Sequence, residues 1–270
     1  MTSPYAEVIG DPIAHSKSPL IHKFWFGKLG IAADYRAHRV APDDLSAYIA
    51  ARRDDPDWRG CNVTIPHKLA VLDLVGDPGD VRASIGAMNT IFRAPDDALI
   101  GTNTDAAGFF APLTGLELTG RTAVVVGSGG AARAVLFALS KSDVARVVVL
   151  ARNPLKGAAL LAQFGLKGEA HPLARRLPDA ALLVNATSLG MTGQPPLVID
   201  LTPLPDDALV YDIVYAPRLT PLLAAAAARG LDTVDGLEML VGQAALAFEL
   251  FFGAPAPREH DAELRALLTA

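Results

Sequence analysis

Short apolar runs, each closed by glycine, proline or a polar cluster, recur along the chain and alternate with stretches of helical spacing. Residues 5–9, 33–40, 58–65, 86–91 and 99–102 read as strands, and 123–126, 145–150, 180–184 and 209–214 continue the series. The runs at 123–126 and 180–184 are apolar throughout, as strands buried on both faces of a parallel sheet are. Helices are predicted from Ser18 to Gly27 or Gly30, over 42–53, from near His67-Lys68 and from near Asp105. Further helices are predicted over an Ala-rich run ending at Leu139, over 221–229 and over 237–252. Ser18 before Pro19 has the form of an N-cap with proline at the first helical position. The segment after Pro255 is short and charged and is expected to cover a surface. The chain shows no internal repeat and no low-complexity linker.

Composition narrows the class. The 270 residues suffice for one large or two small domains, and 51% hydrophobic with 20% charged is an ordinary globular balance. A net charge of -5 argues against a general nucleic-acid or membrane-surface partner. Cys61 is the single cysteine, so no intrachain disulfide can form, and its apolar neighbours mark it as a small core residue. The six histidines lack the spacing of a zinc site, and no metal is expected. Apolar runs break before membrane-spanning length, and the first residues lack a basic segment leading into an apolar one. The expectation is a cytoplasmic protein.

Candidate chemistry concentrates in four places. After the strand at 123–126, the small residues fall as G-x-G-x-x-A at Gly127, Gly129 and Ala132, the dinucleotide fingerprint between a strand and a helix. A tight turn that binds nothing would carry the same glycines. An NAD-binding unit places an acid about 20 residues or more beyond, on the ribose hydroxyl. Here the second strand ends instead in Arg152, with Lys156 one turn later, which suits a 2′-phosphate and points to NADP; two solvated basic residues are the alternative. Ser16, Lys17 and Ser18 crowd one helix start, where two hydroxyls could take a carboxylate, although a cap with a solvated lysine accounts for them as well. Lys68 stands at the C-terminal edge of a strand on what reads as the first turn of a helix, a poor position for a cation without a task. Asp105, near a helix start, needs no task unless it partners Lys68.

In order along the chain, G-D-P-I-A-H-S-K-S-P from Gly10, N-V-T-I-P with Lys68, G-A-M-N-T from Gly86, N-T-D ending at Asp105, the glycine loop, N-A-T-S from Asn185, Y-D-I-V-Y ending at Tyr215, and Asp235-Gly236 with Met239 and Gln243 resemble the shikimate dehydrogenase family. The resemblance runs from about Tyr5 to Gly253. It implies an α/β protein of two domains with a cleft between them. Residues 1–105 with 237–270 would form a discontinuous substrate domain, and 106–236 a doubly wound, Rossmann-type NADP domain. It implies NADP-linked reversible reduction of 3-dehydroshikimate to shikimate, on the route to aromatic amino acids, in a monomer or homodimer. By position, Lys68 and Asp105 would be the catalytic pair. Ser16, Ser18, Thr64, Asn89, Tyr215 and Gln243 would join that pair in holding substrate. Gly127, Ser128, Gly129, Gly130 and Ala131 would take the pyrophosphate, and Arg152, Asn153 and Lys156 the 2′-phosphate end. Ile213, Gly236 and Met239 would line the nicotinamide.

Three positions depart from the family pattern: Ala151 stands for Asn, Asn153 for Thr, and Glu238 for Gly. The first two keep the charge clamp and remove hydrogen bonding, which bears on cofactor preference. The alternatives are a quinate/shikimate dehydrogenase with relaxed substrate or NAD preference, and a nucleotide-binding regulator without catalysis. Retention of both Lys68 and Asp105 speaks against the regulator. Basic residues where the ribose would want an acid speak against a methyltransferase.

Overall fold

A computed structural model describes residues 3–270, which divide into two compact units. The first comprises residues up to 104 together with 241–270, and the second 105–240.

In the first unit the chain runs β1 (Tyr5–Gly10), α1 (Ser18–Leu29), β2 (Asp34–Arg39), α2 (Leu45–Arg53), β3 (Trp58–Val63), α3 (Val81–Ser84), β4 (Thr90–Arg93) and β5 (Leu99–Thr102). The sheet order is β2-β1-β3-β4-β5. β1, β2 and β3 are parallel, and β4 runs antiparallel to both of its neighbours. The C-terminal ends of β1, β3 and β5 and the start of β4 therefore share one edge. One face of this sheet is covered by an aromatic cluster. His22 and Trp25 of α1 pack with Phe248, and His22 stacks on Tyr35 of β2 at 3.8 Å between ring centroids. Cys61 is fully buried in β3, and burial pushes its thiol far above the ordinary range.

The second unit opens with α4 (Asp105–Phe110) and continues through β6 (Thr122–Val126), α5 (Gly130–Leu139), β7 (Arg146–Leu150), α6 (Pro154–Gln163), β8 (Gly168–His171), β9 (Leu182–Asn185), β10 (Leu209–Asp212), α7 (Pro221–Ala228) and β11 (Asp232–Val234). All six strands are parallel in the order β11-β10-β9-β6-β7-β8. This is the doubly wound arrangement, and the order reverses between β6 and β9, where such sheets bind dinucleotides at their C-terminal edge. Alternate residues of the central strands feed two cores. Val125, Val147 and Tyr211 belong to one, and Val124, Val148 and Val210 to the other.

α8 (Gly236–Phe252) crosses the division between the units, and α9 (Asp261–Thr269) closes the chain. The charged tail does more than coat a surface. Leu264 and Leu268 of α9 are buried, worth about 1.5–3 kcal/mol each. Lys28 of α1 pairs with Glu263 at 2.6 Å. Among the described residues no helix is long and apolar enough to cross a membrane.

Candidate active site

The sheet edge of the first unit collects four of the predicted substrate residues. Ser16 lies in the loop after β1, Thr64 and Lys68 follow β3, and Asn89 immediately precedes β4. Backbone bonds lock these segments together. Thr64 N–H donates to Ile9 O at 2.9 Å, Val63 N–H to Asn89 O at 2.7 Å, and Met88 N–H to Lys68 O at 2.8 Å. His67 is buried with Nε2 at 2.8 Å from Val40 O, which ties the same turn to the end of β2.

Two local expectations are corrected. Residues 65–69 form a turn before a short 3-10 helix at Ala70–Asp73, so Lys68 is not on the first turn of an α-helix. The backbone N–H groups that a helix start would offer are partly used in the Thr64–His67 turn bond. At α1 the capping position falls on Lys17 rather than Ser18. The Ser16 hydroxyl accepts from Ser18 N–H at 3.3 Å, so Ser16 does the capping while Ser18 is buried as the first helical residue. Lys17 is half-buried rather than a free surface cation; its ammonium donates to Leu268 O at the end of α9, a favourable place for a cation.

Asn89 is the centre of a buried polar network. Its Oδ1 accepts from Thr104 N–H at 2.7 Å and from Thr90 Oγ1 at 3.2 Å. Its Nδ2 donates to Thr104 Oγ1 at 2.9 Å and to Gln243 Oε1 at 3.3 Å. Asn89, Thr90, Thr104 and Gln243 are all buried. Sequence reasoning found Asn89 and Gln243 but missed Thr90 and Thr104. The signal was present in the N-T pairs at 89–90 and 103–104, where polar residues interrupt otherwise strand-like stretches.

Asp105 and Tyr215 belong to the second unit. Asp105 is buried as the first residue of α4, where a carboxylate suits the helix dipole. Tyr215 is half-buried, three residues beyond β10.

In the second unit Gly127 follows β6 with φ at 120°, and a Cβ there would come within 2.8 Å of the Ala186 carbonyl oxygen. Only glycine meets both conditions. Gly129 precedes α5 with open space around it and no side chain capping the helix. Ser128, Gly130 and Ala131 complete a turn whose N–H groups and positive helix end fit a phosphate. Arg152 and Lys156 are exposed at the β7–α6 turn and make no ion pair among the described residues. Asn153 is the cap of α6, accepting from Lys156 N–H at 3.3 Å. These residues fit a dinucleotide with a phosphorylated ribose. At the other half of the sheet edge, Gly236 backs onto the Ile213 carbonyl with no room for a side chain, and Met239 joins the core beneath.

A second buried knot, unforeseen from sequence, fixes that half. Asp212 is buried and accepts from Thr220 Oγ1 at 2.7 Å, Asn185 Nδ2 at 2.9 Å and Val214 N–H at 3.0 Å. Burial pushes its carboxyl above the ordinary range, against the pull of those donors.

Residues 8–91 match the model of the shikimate dehydrogenase substrate binding domain, and 236–263 that of the shikimate 5′-dehydrogenase C-terminal domain. A shikimate dehydrogenase (NADP(+)) of Sphingopyxis alaskensis is 68% identical over 99% of this chain and 98% of its own. The chain belongs to the shikimate dehydrogenase family. Among solved structures of relatives, the Thermus thermophilus shikimate 5-dehydrogenase in complex with NADP(H) and shikimate is 36% identical, with TM-score 0.86 over 98% of this chain and 99% of that one. A quinate dehydrogenase of Corynebacterium glutamicum in complex with NAD is 29% identical, with TM-score 0.85 over 98% and 99%.

Proposed function

We propose that this chain catalyses NADP-linked, reversible reduction of 3-dehydroshikimate to shikimate. The observation that carries the reading is the convergence of Ser16, Thr64, Lys68, Asn89 and Gln243 within one unit, at one sheet edge or hydrogen-bonded to it. The NADP(+)-dependent relative at 68% identity supports it. The first unit serves substrate. Ser16 and Ser18, with Tyr215, take the carboxylate, and Thr64, Asn89 and Gln243 take ring hydroxyls together with Lys68 and Asp105. The second unit serves cofactor through Gly127, Ser128, Gly129, Gly130 and Ala131 at the pyrophosphate. Arg152, Asn153 and Lys156 serve the 2′-phosphate, and Ile213, Gly236 and Met239 the nicotinamide.

NADPH, when bound, supplies the hydride for the ketone carbon. The chain must then deliver a proton to the ketone oxygen and stabilise the charge that develops there. The Lys68 ammonium can do both, donating Nζ–H to the oxygen and balancing the alkoxide. Asp105 is its orienting and charge-matching partner. In the oxidative direction Lys68 takes the proton back. The enzyme acts in the cytoplasm, as a monomer or homodimer.

The test is nicotinamide absorbance with shikimate and either NADP or NAD. Rapid reduction of NADP and slow reduction of NAD is the expected result. In the same assay Lys68→Ala loses turnover by roughly three orders of magnitude, in the range of general acid catalysis, while NADPH still binds by fluorescence titration. Near-normal turnover in that variant would remove Lys68 as proton donor. The NAD-bound quinate dehydrogenase relative makes quinate with NAD the second reading, and the same cuvettes decide it.

A further inference from the structure

Asn89 does not stand alone; it is the middle of a hydrogen-bond chain that begins on the far side of the sheet. Tyr35 of β2 lies level with Ala6 of β1, which lies level with Gly60 of β3. Its hydroxyl donates to Asn62 Oδ1 at 2.6 Å. Asn62 Nδ2 donates to Thr90 Oγ1 at 3.1 Å, across the β3–β4 pair in which the two residues are opposite. Thr90 Oγ1 then donates to Asn89 Oδ1 at 3.2 Å, and Asn89 Nδ2 reaches Gln243 Oε1 at 3.3 Å.

The polarity of this chain is set at both ends. A backbone N–H can only donate, so the atom of Asn89 facing Thr104 N–H must be the amide oxygen. At the other end Tyr35 is fully buried, and burial raises its phenol well above its ordinary range, so it holds its proton and donates. With the phenol donating, Asn62 must turn its oxygen to Tyr35 and its nitrogen to Thr90. Thr90 can then give its own proton onward. If Tyr35 lost its hydroxyl, Asn62 could reverse. Thr90 would donate back to it, and Asn89 Oδ1 would lose its hydrogen bond from Thr90, keeping that from Thr104 N–H.

We propose that Tyr35, acting through Asn62 and Thr90, is a positioning residue for the substrate-binding amides of Asn89 and Gln243. Tyr35 itself touches no substrate. The inference rests on the reading that Asn89 and Gln243 bind ring hydroxyls.

The test is steady-state kinetics of the full-length protein with a double-mutant cycle. Tyr35→Phe is expected to raise KM for shikimate about fivefold to tenfold, with kcat within twofold and KM for NADP unchanged. In an Asn89→Ala background, already raised in KM, Tyr35→Phe is expected to add less than twofold, because the pathway it serves is gone. Thr90→Val should behave as Tyr35→Phe does, and Thr90→Ser, which keeps the hydroxyl, should restore the parental KM. An unchanged KM in Tyr35→Phe, full additivity with Asn89→Ala, or a Thr90→Ser as poor as Thr90→Val would each overturn the proposal. If Asn89→Ala and Gln243→Ala themselves leave KM for shikimate unaltered, the substrate reading fails instead. Should Tyr35→Phe fold poorly, the Thr90 pair carries the decision alone.

Discussion

His22 shows how one side chain can fix the pH range in which a fold is secure. It is fully buried, both ring nitrogens lack partners among the described residues, and burial pushes it down to about 3. The unfolded chain protonates it near about 6.5. Between those values the unfolded state binds the extra proton, so stability falls as the pH falls from about 6.5 toward about 3. His22→Phe keeps the ring that stacks on Tyr35 and removes the titration. Relative to the parent, the variant should gain about 2–3 kcal/mol on going from pH 7 to pH 4.5, read from urea midpoints. An equal difference at both pH values would sink this account. Gly236 carries a second test at the same scale. Any Cβ there would overlap the Ile213 carbonyl, so Gly236→Ala must displace the segment after β10. NADP affinity should weaken at least tenfold by titration, with shikimate affinity retained. Retention of normal NADP affinity would remove Ile213 and Gly236 from the cofactor site.

At the scale of elements, the β7–α6 turn is the proposed determinant of cofactor choice. Pro154 and the Asn153 cap shape the helix start, and Arg152 and Lys156 stand exposed where a cation opposes the helix dipole. Arg152→Ala should raise KM for NADP by one to two orders of magnitude and leave KM for NAD within about threefold, since only the former presents a 2′-phosphate. Equal losses would exclude the clamp. Most elements were legible in the sequence. The glycine loop and the apolar strands β6, β7, β9 and β10 declare themselves because both faces are buried. β8 and β11 did not. Their residues, Gly168–His171 and Asp232–Val234, are mostly exposed edge strands without an apolar run to mark them. β4 begins at Thr90 rather than at Gly86, because Asn89 turns its side chain into the polar network and Met88 bonds back to Lys68. Side-chain knots such as Asn185–Asp212–Thr220 join residues 27 and 8 apart, and no local pattern announces them.

At the scale of the molecule, each unit has its own sheet and one continuous helix, α8, takes part in both. The discontinuous organisation was expected from the family resemblance alone; the apolar periodicity of α8 says nothing about where one unit stops. The buried thiol of Cys61 has a practical corollary. The chain contains a single cysteine, set in a central strand of the first unit and held protonated by its surroundings. An alkylating reagent can meet it only when that unit opens. Mass spectrometry of alkylated protein over time therefore counts openings without any added label. Shikimate at about one hundred times its dissociation constant should slow the reaction by about a hundredfold if it binds the closed unit alone, whereas a rate indifferent to shikimate would place its binding elsewhere. A residue with no part in the proposed chemistry becomes a native clock for the unit proposed to hold substrate.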